Sequence, residues 1–377
     1  MKAFEKRKLK YESKDTTEQI FKQIRLKADQ YFKEKNYKKS GNALLFFKIL
    51  SMVLLLIPTY YAVLNSGGLL TTTLSYLAFG FVFLMIGINV GHDAAHHCVT
   101  GNHKIDDFLF NLVYGLQGIS GHYWQIRHNT SHHIFPNVID NDTDLEAPGF
   151  LLLHPHQKAK AYHKYQYIYA PFVYMTFSLF FITIMDISFL FRKDQANLKF
   201  NGVPFVAIFK VIVAKLAYFT LWLIIPIIFS PAEASTIILA FIFMHFAISI
   251  FLAFTFFISH HVQEVNYVEA DMPNEVVHDA WTHHQVITTI DFSANSKLAN
   301  YIFGGFNLHI AHHLFPEVSH IHYPALTKII KETFSENNVD WYRSFTFFEG
   351  IGSHIRHLKS NAAQILERQE AEMAQHA

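Results

Sequence analysis

Three histidine clusters carry the chemistry that this sequence can be read for. His92-Asp93-Ala94-Ala95-His96-His97 and His128-Asn129-Thr130-Ser131-His132-His133 are both H-x3-H-H; His309-Ile310-Ala311-His312-His313 is H-x2-H-H, and His260-His261 forms a fourth group. On a helix, residues four apart share a face, so His92 pairs with His96 and His128 with His132. His309, His312 and His313 fall within an arc of about 100°, while His97 and His133 are rotated by about 100° from their neighbours, able to approach a second metal or the far side of a pair. The boxes and His260 offer more ligands than the roughly four to six that one ion takes, so two metals are the natural count. Imidazole suits Zn, Cu, Fe and Ni alike. A haem needs only one or two axial histidines and leaves most of the boxes unexplained. Soluble carboxylate-bridged di-iron bundles carry Glu and Glu-x-x-His pairs on their bundle helices, a pattern absent from the apolar runs here.

Carboxylates crowd the boxes. Asp93, Asp142, Asp144 and Glu264 are expected to orient ring N–H groups, whereas Asp140 and Glu146 read as caps or loop charges. The run Asp140-Asn141-Asp142-Thr143-Asp144 resembles the start of a calcium loop, but Leu145 stands where Gly is needed and Leu151 where Glu is needed. Cys98 reads as a small buried residue. Isolated histidines, among them His103, His154, His163, His320, His322, His354 and His357, read as structural. His245 lies inside an apolar run and reads as a packing residue; His283 and His284 stand equally as ring-orienting partners or surface residues.

The elements that must position these clusters are membrane helices. Of 377 residues 51% are hydrophobic and only 16% charged. Ordinary soluble chains are roughly 25% charged. A net charge of +1 disfavours nucleic acid as a partner, and a single Cys excludes a disulfide scaffold. Leu69–Val90 is uncharged and reaches about 33 Å as a helix, enough for a hydrocarbon core of about 30 Å. Spans are expected at about 44–64, 69–90, 205–229 and 235–259, forming two hairpins. Residues 1–40 hold 13 Lys/Arg against 6 Asp/Glu, which places the N-terminus in the cytoplasm, together with all four histidine groups and the C-terminus. The run Gln166–Met185 has basic residues on both flanks, so 166–190 reads as re-entrant or interfacial, and 107–119 as a second interfacial helix. The fold class expected is therefore all-α and integral to the membrane: four spans in two hairpins, interfacial helices, and a cytoplasmic helical cap holding the metals. Segment 1–43 is expected to be basic, helical and solvated, 44–330 to be the membrane domain, and 331–377 to be a helical tail. No cleavable signal peptide is expected, because the first apolar run lies behind a long basic segment.

At these residues the chain resembles the membrane fatty acid desaturase family. The resemblance rests on the three boxes in order, on Asp142-Thr143-Asp144-Leu145-Glu146, and on Asn307-Leu308-His309 through Pro316. Phe257-Ile258-Ser259-His260 through Glu264 and Gln285-Val286-Ile287-Thr288-Thr289 match bacterial acyl-CoA and front-end (linoleoyl-CoA-like) members. The resemblance implies two iron ions that use O2 and two electrons to desaturate an acyl chain. By position, the ligands it implies are His92, His96 and His97, then His128, His132 and His133, then His260, then His309, His312 and His313. Asn307 would support box three, and Gln285 is a candidate contact for substrate. The chain departs from front-end members in lacking a His-Pro-Gly-Gly haem motif and in carrying His309 where many have Gln. An external electron donor is thus expected: a ferredoxin, a flavodoxin or a separate cytochrome b5. A membrane hydroxylase of alkanes, sterols or carotenoids is the alternative. A metal transporter would place its ligands near the bilayer midplane, where only His245 lies.

Overall fold

The computed structural model describes residues 4–7, 9–12, 15–146 and 149–375. Among the described residues, four helices are long and apolar enough to cross a membrane: Ala43–Asn65, Leu69–Ala95, Phe205–Phe229 and Ala234–His260, spans 1 to 4 in order. Span 1 opens on Asn42, whose side chain accepts the Leu44 amide at 2.9 Å, a regular N-cap. Its Phe46, Phe47, Leu50, Leu54 and Leu55 face outward, as a lipid-facing helix requires. Span 4 is the most enclosed, with 44% of its most apolar stretch buried against 17% for span 1. The central helix therefore carries His260. The two hairpin turns meet at one end, where the Ser230 hydroxyl donates to Ser66 O at 2.8 Å. At the other end the Gly41 amide reaches Cys98 O and Val99 O, joining the start of span 1 to the chain just past box one.

The apolar run after box two folds as a broken pair, Ala161–Tyr174 and Phe177–Ser188, bent by 73°. Buried polar groups pin the break to spans 3 and 4. Ser178 N donates to Ser249 Oγ at 3.0 Å, and His245 lies 2.7 Å from both the Ser178 and the Tyr218 hydroxyls. Every polar atom of the His245 ring is thereby satisfied inside the bundle. The helix expected at 107–119 forms as His103–Leu116, with Ile105, Phe108 and Leu112 exposed on its outer face.

Two expectations are corrected. The chain is mostly helical but not all-α: short strands Phe4–Lys6, Asp194–Gln195 and Leu198–Phe200 form one small sheet, Lys10–Tyr11 pairs with Val276–Val277, and Asp291–Phe292 with Ser344–Phe345. These pairings satisfy backbone groups of connecting segments that cross the cap. Nor is the N-terminal segment a solvated helix. Helix Asp15–Lys35 buries Ile20, Ile24, Ala28 and Phe32, a stripe at helical spacing, against Leu326, Ile330 and Phe334 of helix Tyr323–Glu336. Helix Tyr323–Glu336 also runs across the division expected at residue 330, and helix Phe347–Gln375 follows it.

Candidate metal centre

Box one grows out of span 2 through a π-helical turn, Gly87–Gly91, which releases a carbonyl from the regular ladder. Gln117 Nε2 donates to Phe83 O at 2.6 Å, just before this turn. The close approach of Gln117 and Tyr114 requires glycine: a Cβ on Gly87 would lie 2.4 Å from the Gln117 amide, and one on Gly91 2.5 Å from the Tyr114 ring. Box two is itself a π turn, His128–His132. Box three is a short helix, His309–Leu314, whose N-terminus is capped by Asp291, with Oδ1 accepting the Ile310 amide at 2.9 Å.

These three pieces and the end of span 4 bring the histidines into two quartets. His92, His96, His128 and His312 form one; His132, His260, His309 and His313 form the other. Within each, one ring nitrogen per residue lies within 4.8 Å of the rest. His92 Nε2 is 3.2 Å from His128 Nε2, and His260 Nε2 is 2.7 Å from His309 Nε2. His133 sits between the quartets, its ring 4.4 Å from that of His312 and 4.6 Å from that of His313. Its Nε2 is 3.0 Å from His128 Nε2.

Outer partners fix how several rings are turned. His132 Nδ1 donates to Asp142 at 3.1 Å, His260 Nδ1 to Thr288 O at 3.0 Å and His313 Nδ1 to Gln285 Oε1 at 2.9 Å; His312 Nδ1 lies 3.1 Å from the Tyr323 hydroxyl. Each ring so held turns Nε2 inward. Nε2 of His96, His312 and His313 is buried without any hydrogen-bond partner. Convergent, orphaned imidazole nitrogens inside a protein are costly unless they are kept for a ligand. The donor set thus fits two metal ions, each with four imidazoles.

Electrostatics agree. Burial and the neighbouring rings push His128, His133, His309, His312 and His313 well below the usual imidazole range, and burial takes His96 to about 4. Neutral imidazole is the ligating form. His132 is the exception: burial disfavours its charge, but Asp142 and Asp144 outweigh that and raise it to about 8.

Several expected members stand elsewhere. His97 takes a left-handed conformation, φ 57°, and turns away to Asp107 at 2.8 Å. Asp93 orients no box ring; its Oδ2 accepts from Ser319 Oγ at 2.7 Å and lies 2.9 Å from His320 Nδ1. Asp144 is 3.7 Å from His132 Nδ1 and also holds Arg127 at 3.2 Å. Glu264 accepts from Ser353 Oγ at 2.5 Å, on helix Phe347–Gln375. Asn307 donates to Asn300 Oδ1 at 2.6 Å. Gln285, the candidate contact for substrate, accepts from His313 Nδ1. His284 is buried with Nε2 on Pro136 O at 2.8 Å, while His283 pairs with Asp279 at 2.7 Å. Reading the sequence missed Thr288, Tyr323, Asp291 and His320. His320 forms a buried chain from Asp93 to Lys48, whose Nζ is 2.9 Å from His320 Nε2. The one visible signal for it was the charge of Lys48 within an otherwise apolar span. A pocket of about 190 Å³ lined by Ala95, His96, His97, Asn129, His133, Pro316 and Glu317 opens on this centre.

Four helices apolar enough to cross a membrane thus close on two adjacent histidine quartets that could each hold a metal ion. The family described as fatty acid desaturase matches residues 67–345. The chain is 26% identical over 342 residues to sn-1 linoleoyl-lipid 6-desaturase of Arthrospira platensis, covering 90% of this chain and 91% of that one. It is 30% identical over 347 residues to acyl-lipid (8-3)-desaturase of Mortierella alpina, covering 90% and 76%. It is 28% identical over 354 residues to acyl-lipid (8-3)-desaturase B of Dictyostelium discoideum, covering 90% and 75%. The chain belongs to the fatty acid desaturase family. It is an oxidoreductase acting on fatty acyl chains, and desaturation is favoured over hydroxylation or metal transport.

Proposed function

We propose that this chain is an O2-dependent desaturase of a lipid-linked long-chain acyl group, with one iron held by His92, His96, His128 and His312 and a second by His132, His260, His309 and His313. The observation that carries this reading is the pair of adjacent buried quartets with inward, unpartnered nitrogens. Two irons bound there supply the oxidant that converts two adjacent methylenes, O2, two electrons and two protons into a cis double bond and two waters. The protein's own residues do the rest. Asp142, Thr288 and Gln285 hold His132, His260 and His313 in one tautomer each, so that Nε2 is free to ligate. Phe306 packs against His92 at 4.5 Å and stacks on His309 at 5.8 Å. These contacts give the centre an apolar flank that excludes water. The pocket beside His96 and His133 is the open side of the centre.

A lipid-linked substrate is supported by the relatives, whose names specify acyl-lipids. The excess of Lys/Arg before span 1 supports a cytoplasmic cap with both termini on that side, where an external donor can deliver electrons. The deciding experiment expresses the chain with a ferredoxin or cytochrome b5 donor and profiles total fatty acids by gas chromatography–mass spectrometry. New double bonds are expected in the wild type and none in a His132→Ala/His312→Ala variant. Hydroxylated product, or equal unsaturation in both, overturns the reading.

A further inference from the structure

The region matched by the desaturase family ends at residue 345, and helix Phe347–Gln375 lies beyond it. One face of this helix grips the chain directly after the ligand candidate His260. At Gly350 it comes so close to span 4 that a Cβ there would meet Ile258 Cβ at 3.1 Å. Ser353 Oγ donates to Glu264 and accepts the Gln263 amide at 3.2 Å. His354 and His357 continue the same face at helical spacing.

His354 makes the contact that matters most. Span 4 leaves helical geometry at His261, with φ -128° and ψ 60°. The carbonyls of its last turn therefore have no helical successor to bond. His354 Nδ1 donates to one of them, His261 O, at 2.6 Å. Its second nitrogen, Nε2, lies 2.8 Å from the Tyr174 hydroxyl. Tyr174 ends helix Gln166–Tyr174, at the 73° bend of the broken apolar pair. Gln166, at the start of that helix, donates to Leu358 O at 2.7 Å. One buried imidazole thus bridges the end of the ligand-bearing span and the bend of the broken pair.

We propose that His354 is a positioning residue of the metal centre, holding the end of span 4 through Nδ1 so that His260 stays in register with His132, His309 and His313. This rests on the quartets being metal sites, as argued above. The helix following the family region is then part of the machinery and not an inert tail. The two nitrogens can be separated by substitution. In His354→Asn the amide nitrogen takes the place of Nδ1 and the link to Tyr174 is lost. In His354→Gln the longer side chain reaches toward Tyr174 and the link to His261 O is lost.

The test measures metal per chain by plasma mass spectrometry, and iron affinity by chelator competition, on detergent-purified protein. Elution volume checks that each variant is folded. His354→Asn is expected to retain wild-type affinity, while His354→Gln weakens the second site by roughly tenfold, the lower end of what loss of a partner behind a ligand does. Equal metal retention by the two variants, whether high or low, overturns the proposal. A Tyr174→Phe variant, which removes one hydroxyl, is expected to keep its metal; loss of metal there overturns it too. A wild type that holds metal yet yields no unsaturated product would refute the assigned reaction and leave this proposal standing. A wild type that holds no metal overturns both.

Discussion

Gln285 separates two accounts of the centre. By sequence pattern it is a candidate for contacting substrate; in the structure its Oε1 accepts from His313 Nδ1 at 2.9 Å, with both residues buried. Its own amide nitrogen reaches only Ile134 O, at 3.5 Å, so the His313 bond is the contact at stake. Gln285→Leu keeps the size and removes the acceptor. The buried ring N–H then loses its partner, at a cost of about 1–3 kcal/mol. If that cost falls on the ring as it is oriented for ligation, metal affinity at the second quartet drops roughly 5- to 150-fold. Gln285→Glu keeps an acceptor and should hold metal at least as well as the wild type. The assay is chelator competition on purified protein, with KM for the acyl substrate measured in parallel. Metal affinity that stays within about twofold in Gln285→Leu while KM rises would place Gln285 at the substrate and refute the argument from geometry.

Asp142 bonds His132 through both carboxylate oxygens, at 3.1 and 3.2 Å. Asp142→Asn should therefore weaken metal binding roughly 10- to 100-fold, read by the same competition. In the metal-free chain His132 is raised from 6.5 to about 8. Its pairing therefore stabilises fully below about pH 6.5 and is lost as pH rises through about 8. The Tm of metal-free protein should fall across that window while metal retention rises, since the ring must shed its proton to ligate. A flat Tm profile contradicts this. His97 faces Asp107 and not the quartets, so His97→Ala should leave metal per chain and product unchanged; loss of either would return His97 to the ligand set. Asp186 Oδ2 accepts from Lys215 Nζ at 2.5 Å and from the Ser120 amide at 2.8 Å. Asp186→Ala removes the counter-charge of a lysine within span 3, leaving it the Gly118 carbonyl, and should destabilise the bundle by about 3 kcal/mol, seen as a lowered thermal transition in detergent; an unchanged transition excludes it.

What was legible in the sequence follows the range of the forces involved. Span placement depends on local hydropathy, and the four helices stand within a few residues of the stretches read from it, except that span 2 runs on to Ala95 through its π turn. That the box histidines converge was legible from their i, i+3 and i+4 spacing, but how they divide was not: His128 and His132, four apart, stand in different quartets, as do His309 and His312. Nor were the partners behind the rings legible. Thr288 acts through its carbonyl, which carries no residue signature, and Tyr323 and Asp291 meet box three only after the chain has folded back. The arm at 4–11 reads as part of a solvated helix because its charge density is high. Strand pairing to residues 198–200 and 276–277 is a tertiary event that composition does not encode.

Boxes one and two show how far spacing alone can carry. They share the pattern H-x3-H-H, so any rule based on letters assigns His97 and His133 the same fate. Their backbones differ. Box one follows a π turn that is already complete, its helix ends at Ala95, and His97 flips to φ 57° and leaves the centre. Box two is the π turn: the His133 amide bonds His128 O, five residues back, and the wider turn returns His133 to the side of His128. The sixth residue of the pattern is therefore inside or outside according to where the extra residue of the π turn falls. In box one Gly87 and Gly91 set that position by letting Gln117 and Tyr114 approach the backbone. Glycine placement ahead of a box, which the histidine pattern does not include, decides what the histidine pattern can do.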